Sequence, residues 1–206
     1  MQGGAAVKKI CLLVALFLFA TIPAEAVAPV NANTITAALA YGKNKAGVPL
    51  NVFFQPWTVY EERTDKLDET AERACFFTPF LLIAADARDR TVSGAPVTQT
   101  DVERILSDYN GYVIFAVTLY GRDAKFAGKL TASLRQEKAT IRARLVNSPP
   151  LTEIGSSTRG GDGIYEAQCF VYFLTKEVAA DKPATLLISA GDRRQRSFYF
   201  QLSNYK

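Results

Sequence analysis

Residues 110–121, Asn-Gly-Tyr-Val-Ile-Phe-Ala-Val-Thr-Leu-Tyr-Gly, are apolar on both alternating faces between two glycines. A strand with one wet face alternates apolar and polar residues. Here Val113, Phe115, Val117 and Leu119 share one face, and Tyr112, Ile114 and Ala116 share the other, so both faces must be covered. The stretch is therefore read as a central strand. Segments after Gly121 read as further strands, and those before Asn110 as helices and short strands that cap it.

Upstream, Thr100-Asp101-Val102-Glu103 has the spacing of a capping box. It opens a helix over 101–109 with Val102, Ile105, Leu106 and Tyr109 inward. Thr78-Pro79 supplies an N-cap and a first-turn proline, which predicts a helix over 79–90 with Phe80, Ile83, Ala84 and Ala87 on one face. Residues 73–77 read as a short strand. The polar run 61–72, where Glu61, Glu62, Asp65, Asp68, Glu69 and Glu72 surround Arg63, Lys66 and Arg73, reads as a solvated mixed-charge connection. Residues 51–60 are apolar but contain Pro56, which confines them to an edge strand or an irregular extended segment. A further helix is expected over 34–45, capped by Asn33 or Thr34, with Gly42 weakening its last turn.

Downstream, strand parity sets the pairing. Leu130, Ala132 and Leu134 alternate with polar residues, as do Ile141, Ala143 and Leu145. Cross-strand partners share a face, so even positions facing odd ones require an even loop. A two-residue loop, Glu137-Lys138, pairs Leu134 with Ile141, Ala132 with Ala143 and Leu130 with Leu145; a four-residue loop is the alternative. The outer face then collects Lys129, Arg135, Arg142 and Arg144 without a carboxylate. After a long loop over 147–163, the strand 164–175 points Cys169, Val171 and Phe173 inward. A final hairpin pairs 184–190 with 195–202; Leu186, Ile188, Phe198, Phe200 and Leu202 are all even, so its loop is odd. The expected fold is mainly β: an immunoglobulin-like antiparallel β-sandwich of about seven or eight strands, with three short helices in the N-terminal half covering one end or edge. A small β-barrel is the alternative.

Residues 1–26 are laid out as a secretory signal peptide: Lys8 and Lys9, an apolar run from Ile10 to Ile22, then Ala24-Glu25-Ala26. The run is shorter than the roughly 20 residues of a membrane span. Residues 27–206 are expected to form one exported domain, periplasmic or extracellular, without a transmembrane segment. The net charge of +4 is too small to imply nucleic acid as a partner.

The chain contains no histidine, which removes Ser-His-Asp and Cys-His nucleophiles and the common zinc sites. Its single methionine is Met1, which removes Met-ligated haem and blue copper. No cofactor or metal is expected. Cys75 and Cys169 form an even pair in an exported chain, so a disulfide between them stands beside two separate buried thiols. A bridge closing a loop of about 90 residues would contribute roughly 4–5 kcal/mol in the chain-entropy model.

The glycine-rich stretch 155–163 lacks a P-loop ending, and the aspartates at 86, 89, 123 and 162 follow no calcium-loop spacing. The functional expectation is a non-catalytic binding or interaction domain. Its basic face of Lys129, Arg135, Arg142 and Arg144 would meet an anionic envelope polymer, lipid headgroups or an acidic protein. The alternatives are a carbohydrate-binding module using exposed aromatics (Trp57, Tyr60, Tyr172, Tyr199) and a histidine-free hydrolase working through carboxylates.

Overall fold

The computed structural model describes residues 30–148, 151–156 and 163–205. The signal-peptide expectation and most of the glycine-rich stretch, including Asp162, lie outside the described residues. The chain is mostly β, built as two antiparallel sheets with four helices among the described residues.

The central strand is β3, Tyr112–Gly121, and every residue from Val113 to Tyr120 is buried. It pairs on one side with β2 (Arg73–Phe77) and on the other with β8 (Gly163–Leu174). β1 (Thr58–Tyr60) lies outside β2, while β6 (Leu145–Asn147) and β7 (Thr152–Ser156) share the far edge of β8. The second sheet runs in the order β10 (Gln195–Gln201), β9 (Pro183–Ser189), β4 (Thr131–Gln136), β5 (Ala139–Arg142). The sheets do not close into a barrel. The strand count exceeds the expected seven or eight because β1, β6 and β7 are short pieces at sheet edges.

Between the sheets, Val113, Phe115, Val117 and Leu119 share a core with Leu134, Leu186, Ile188, Phe198 and Phe200. The Phe115 and Phe200 rings lie 4.9 Å apart and bind the two layers at the centre. On the opposite face of the first sheet, Cys75 and Phe77 pack against a helical cluster. That cluster comprises α1 (Ala32–Asn44), α2 (Leu50–Phe54), α3 (Pro79–Ser93) and α4 (Gln99–Asp108). The helices thus lie on the outer face of the first sheet rather than only at an end or edge, and they meet the apolar demand that β3 announces. No helix of the described residues is long and apolar enough to cross a membrane.

Several local expectations shift by a few residues. α3 is capped by Thr78, whose hydroxyl accepts from Leu81 N at 3.2 Å, and it ends at Gly94 with φ +71°, the left-handed geometry glycine tolerates. α4 starts earlier than the Thr100–Glu103 pattern suggests, because the capping box is formed by Thr98 and Asp101. α1 likewise starts at Ala32, capped by Asn31, whose Oδ1 accepts from Thr34 N at 2.9 Å. Residues 50–57 are not extended: α2 runs into a 3-10 turn, Gln55–Trp57, with Pro56 in its first positions, where a missing N–H costs nothing. The edge-strand reading holds only for β1.

The first hairpin adopts the two-residue loop, with Leu134 opposite Ile141, Gln136 opposite Ala139, and Glu137 at φ +49°. The Ala132–Ala143 pairing continues through an Ala143 N–H to Ala132 O bond of 3.0 Å. Leu130 does not meet Leu145. After Ala143 the chain leaves the second sheet, Arg144 N donates to Tyr172 O at 2.7 Å, and Leu145 pairs with Tyr172 in the first sheet. The last hairpin has its odd loop, since Ser189 faces Gln195.

Cys75 and Cys169 are free thiols, so the disulfide does not form. Cys75 pairs with Ala116 and Cys169 with Val117, which places them on opposite faces and on strands separated by β3. Two inter-strand spacings are about 9–10 Å, beyond the roughly 7 Å a bridge can span. Burial pushes both thiols up to about 12.

Gly42 has a role beyond weakening a helix turn. It is buried where α1 crosses α3, and a Cβ there would lie 2.1 Å from Ala84 O and 2.9 Å from Ala87 Cβ. Gly42→Ala is expected to destabilise the fold by about 1–3 kcal/mol in urea unfolding despite the better helix propensity of alanine. Gly47→Ala, with nothing within 4 Å of its Cβ, should stay within about 0.5 kcal/mol of the parent.

Candidate functional site

Strand alternation places the basic residues. Arg135 on β4 lies between Thr140 of β5 and Thr185 of β9, and Arg142 lies opposite Ser133. These pairings put both arginines on the outer face of the second sheet, one diagonal apart. Arg144 follows at the crossover, where it and Arg142 line a recess of about 500 Å³ together with Glu177. Lys129 stands apart at the far end of β4, held at φ +57°. All four side chains are exposed, and none forms an ion pair among the described residues.

The structure therefore gathers Arg135, Arg142 and Arg144 and leaves Lys129 outside the group. Carboxylates lie nearby but off the strand rows: Glu177 borders the recess, and Glu137 in the hairpin turn pairs with Lys182 at 3.0 Å.

The rest of that face is rich in hydroxyls. Thr131, Ser189 and Gln195 form one cross-strand row; Arg142, Ser133, Leu187 and Ser197 form the next; Thr140, Arg135, Thr185 and Tyr199 form a third. The polar positions of the alternating strands carried this signal, but only their charged members stand out in the sequence.

The aromatic residues do not form a row. Trp57 is buried, stacked on Phe80 at 5.9 Å. Tyr60 and Tyr199 are exposed on β1 and β10, the edge strands of the two sheets that lie side by side, where Glu62 N donates to Ser197 O at 3.0 Å. Tyr172 is half-buried and meets Tyr112 edge-on at 5.9 Å.

A second polar centre lies at the end of the sandwich. Arg196 is fully buried, and its Nε donates to both Glu72 carboxylate oxygens at 3.0 Å. Its terminal nitrogens donate to the two Asp192 oxygens at 2.9 and 2.7 Å. Glu72 also accepts from Tyr120 N at 3.2 Å. Glu61 and Glu72 are both buried, which overturns the reading of residues 61–72 as wholly solvated. The missed signal was parity: Arg196 is even, like Phe198 and Phe200, and so points inward with them.

Burial works against the Arg196 charge, yet the hydrogen bonds with Asp192 and Glu72 outweigh it and hold the guanidinium above its ordinary value. For Asp192, burial raises the pKa, but the Arg196 hydrogen bonds and the Arg194 N–H bring it below the usual carboxylate value. The neighbouring recess, about 790 Å³, is lined in part by Arg63, Asp65, Lys66, Arg122 and Arg194. Its inner carboxylates, Glu72 and Asp192, are engaged by Arg196, an arrangement that holds structure. Nearby, Tyr120 Oη accepts from Arg73 at 3.1 Å and donates to Glu166 at 3.2 Å, and burial lifts its pKa.

No family model and no curated protein matches the sequence. Among solved structures, the chain shows similarity to the archaellum periplasmic stator protein FlaG from Sulfolobus acidocaldarius. The match has 13% identity and a TM-score of 0.28, and covers 44% of this chain and 86% of that one.

Arg196→Met would leave two carboxylates without their cation, and urea unfolding should show a loss of about 3–5 kcal/mol. Asp192 makes a separate pH prediction. Its folded-state pKa is depressed, so its contribution is complete above the unfolded value near about 4 and is lost as pH falls through the lower folded value. Unfolding midpoints followed by circular dichroism should decline below about pH 4, and the decline should be shallower in Asp192→Asn.

Proposed function

We propose that the protein is an exported, non-catalytic interaction domain in which an immunoglobulin-like two-sheet frame presents a basic sheet face to an anionic partner. The observation that carries this reading is the exposed trio Arg135, Arg142 and Arg144, with no ion pair among the described residues. Arg63, Arg122 and Arg193 are likewise exposed without an ion pair among the described residues, but they lie on loops, whereas Arg135 and Arg142 stand on adjacent strands of one sheet face. An arginine without an internal partner keeps its five donors for an external anion. Three such groups on one side of the molecule create a local positive field although the whole chain carries only +4.

A regular sheet fixes the spacing of these charges more firmly than a loop does. The face is therefore suited to a repeating or extended anionic surface, and Lys129 adds a charge at one end of it. Trp57 is buried and Tyr172 half-buried, which leaves Tyr60 and Tyr199 as the exposed members of the aromatic-stacking alternative.

The full chain should bind polyanionic ligands, tested as oligogalacturonate, polyglutamate and phosphatidylglycerol vesicles, more tightly at low than at high salt. Replacing Arg135, Arg142 and Arg144 together with alanine should weaken that binding about tenfold or more with the unfolding midpoint unchanged. Salt-insensitive binding, or a triple variant that binds like the parent, would overturn the reading.

A further inference from the structure

β5 pairs with β4 from Ser133 to Gln136, and the pairing ends at Ala132, whose carbonyl accepts from Ala143 N, whereas β4 continues back to Thr131. The chain departs for the first sheet after Ala143, so no strand covers the first part of β4 on that side. The result is a notch of about 620 Å³. Its polar lining includes Thr131, Ser133, Ser189 and Gln195, its apolar lining includes Val146 and Leu187, and Arg142 stands at its rim.

We infer that this notch is a subsite for one carboxylated sugar unit of an acidic polysaccharide, an inference that rests on the basic-face reading and narrows it. Three features converge on that ligand class. Arg142 offers the planar fork that matches a carboxylate bidentately. The hydroxyls and the Gln195 amide offer both donors and acceptors, which a polyol ring requires and a simple anion does not. Leu187 and Val146 offer apolar area to the C–H surface of a sugar ring.

The same features argue against a lipid headgroup as the occupant. Membrane-surface binding draws on apolar side chains that enter the acyl boundary, and no notch residue is an exposed large hydrophobic. A polyphosphate would call for several cations at one point, and the notch holds one. Arg135 lies one cross-strand row beyond Arg142 on the same face and is placed to meet an acidic group of an adjoining sugar unit.

The test uses calorimetric titration of the full chain with oligogalacturonate, its methyl ester, polyglutamate of matched charge and phosphatidylglycerol vesicles. The expected result is binding of oligogalacturonate, with the methyl ester and Arg142→Ala each weaker by about tenfold or more. The double variant Ser133→Ala/Ser189→Ala should lose affinity for oligogalacturonate several-fold while its binding of polyglutamate is unchanged, a difference that general unfolding would not produce. Equal, salt-sensitive binding of all the anions with no effect of the serine changes would overturn the sugar subsite and leave the basic face standing. Oligogalacturonate binding that persists in Arg142→Ala would overturn the subsite as well. Binding to none of the probes would overturn both readings.

Discussion

A fully buried guanidinium sets the terms for one end of this molecule. Arg196 sits on the inner face of the second sheet, in the row of Phe198 and Phe200, where an uncompensated charge would be prohibitively costly. Its compensation comes from two directions: Asp192 in its own hairpin, and Glu72 from the strap that joins β1 to β2. Because Glu72 must reach Arg196, residues 61–72 are drawn across from the first sheet to the second. The strap is then fastened by backbone bonds, Glu61 N to Glu72 O and Glu62 N to Ser197 O, each 3.0 Å. A buried ion pair of this kind contributes more to relative placement than to net stability, and here it places one sheet edge over the other.

The opposite edge is closed covalently. The run from β5 to β6 passes from the second sheet to the first through Ala143 and Arg144, so the two layers are stitched on both sides. Stitched edges offer fewer unpaired backbone groups for adventitious strand pairing. With the core satisfied between the sheets and the helices spread over the first sheet, the outer face of the second sheet is relieved of any packing duty. That freedom explains how it can carry serine, threonine and arginine in successive rows. The notch exists because the crossover ends β5 early, so the topology that closes the edge also shapes the candidate site.

Much of the architecture was legible from local pattern. The twofold apolar character of 113–120 identifies β3, Thr78-Pro79 identifies the start of α3, and parity identifies the Leu134–Ile141 and Leu186–Phe198 registers. The helix starts at Ala32 and Gln99 were misplaced because several nearby side chains can serve as caps, and local energies separate them only weakly. The basic face was visible as charge, whereas its hydroxyl rows and the fate of Lys129 depend on which strands lie beside β4.

By itself the sequence determined which residues face inward, because side-chain alternation in a strand is a property of the chain's own backbone. It determined equally that β3 needs cover on both sides. Tertiary structure alone decided what provides that cover and which distant groups meet: the separation of Cys75 from Cys169, the burial of Trp57, the passage of Leu145 to the other sheet, and the pairing of Glu72 with Arg196. The physical reason is that alternation and capping are set by neighbours a few residues apart. Contacts across a hundred residues are chosen by the collective packing of two sheets, which no single stretch encodes.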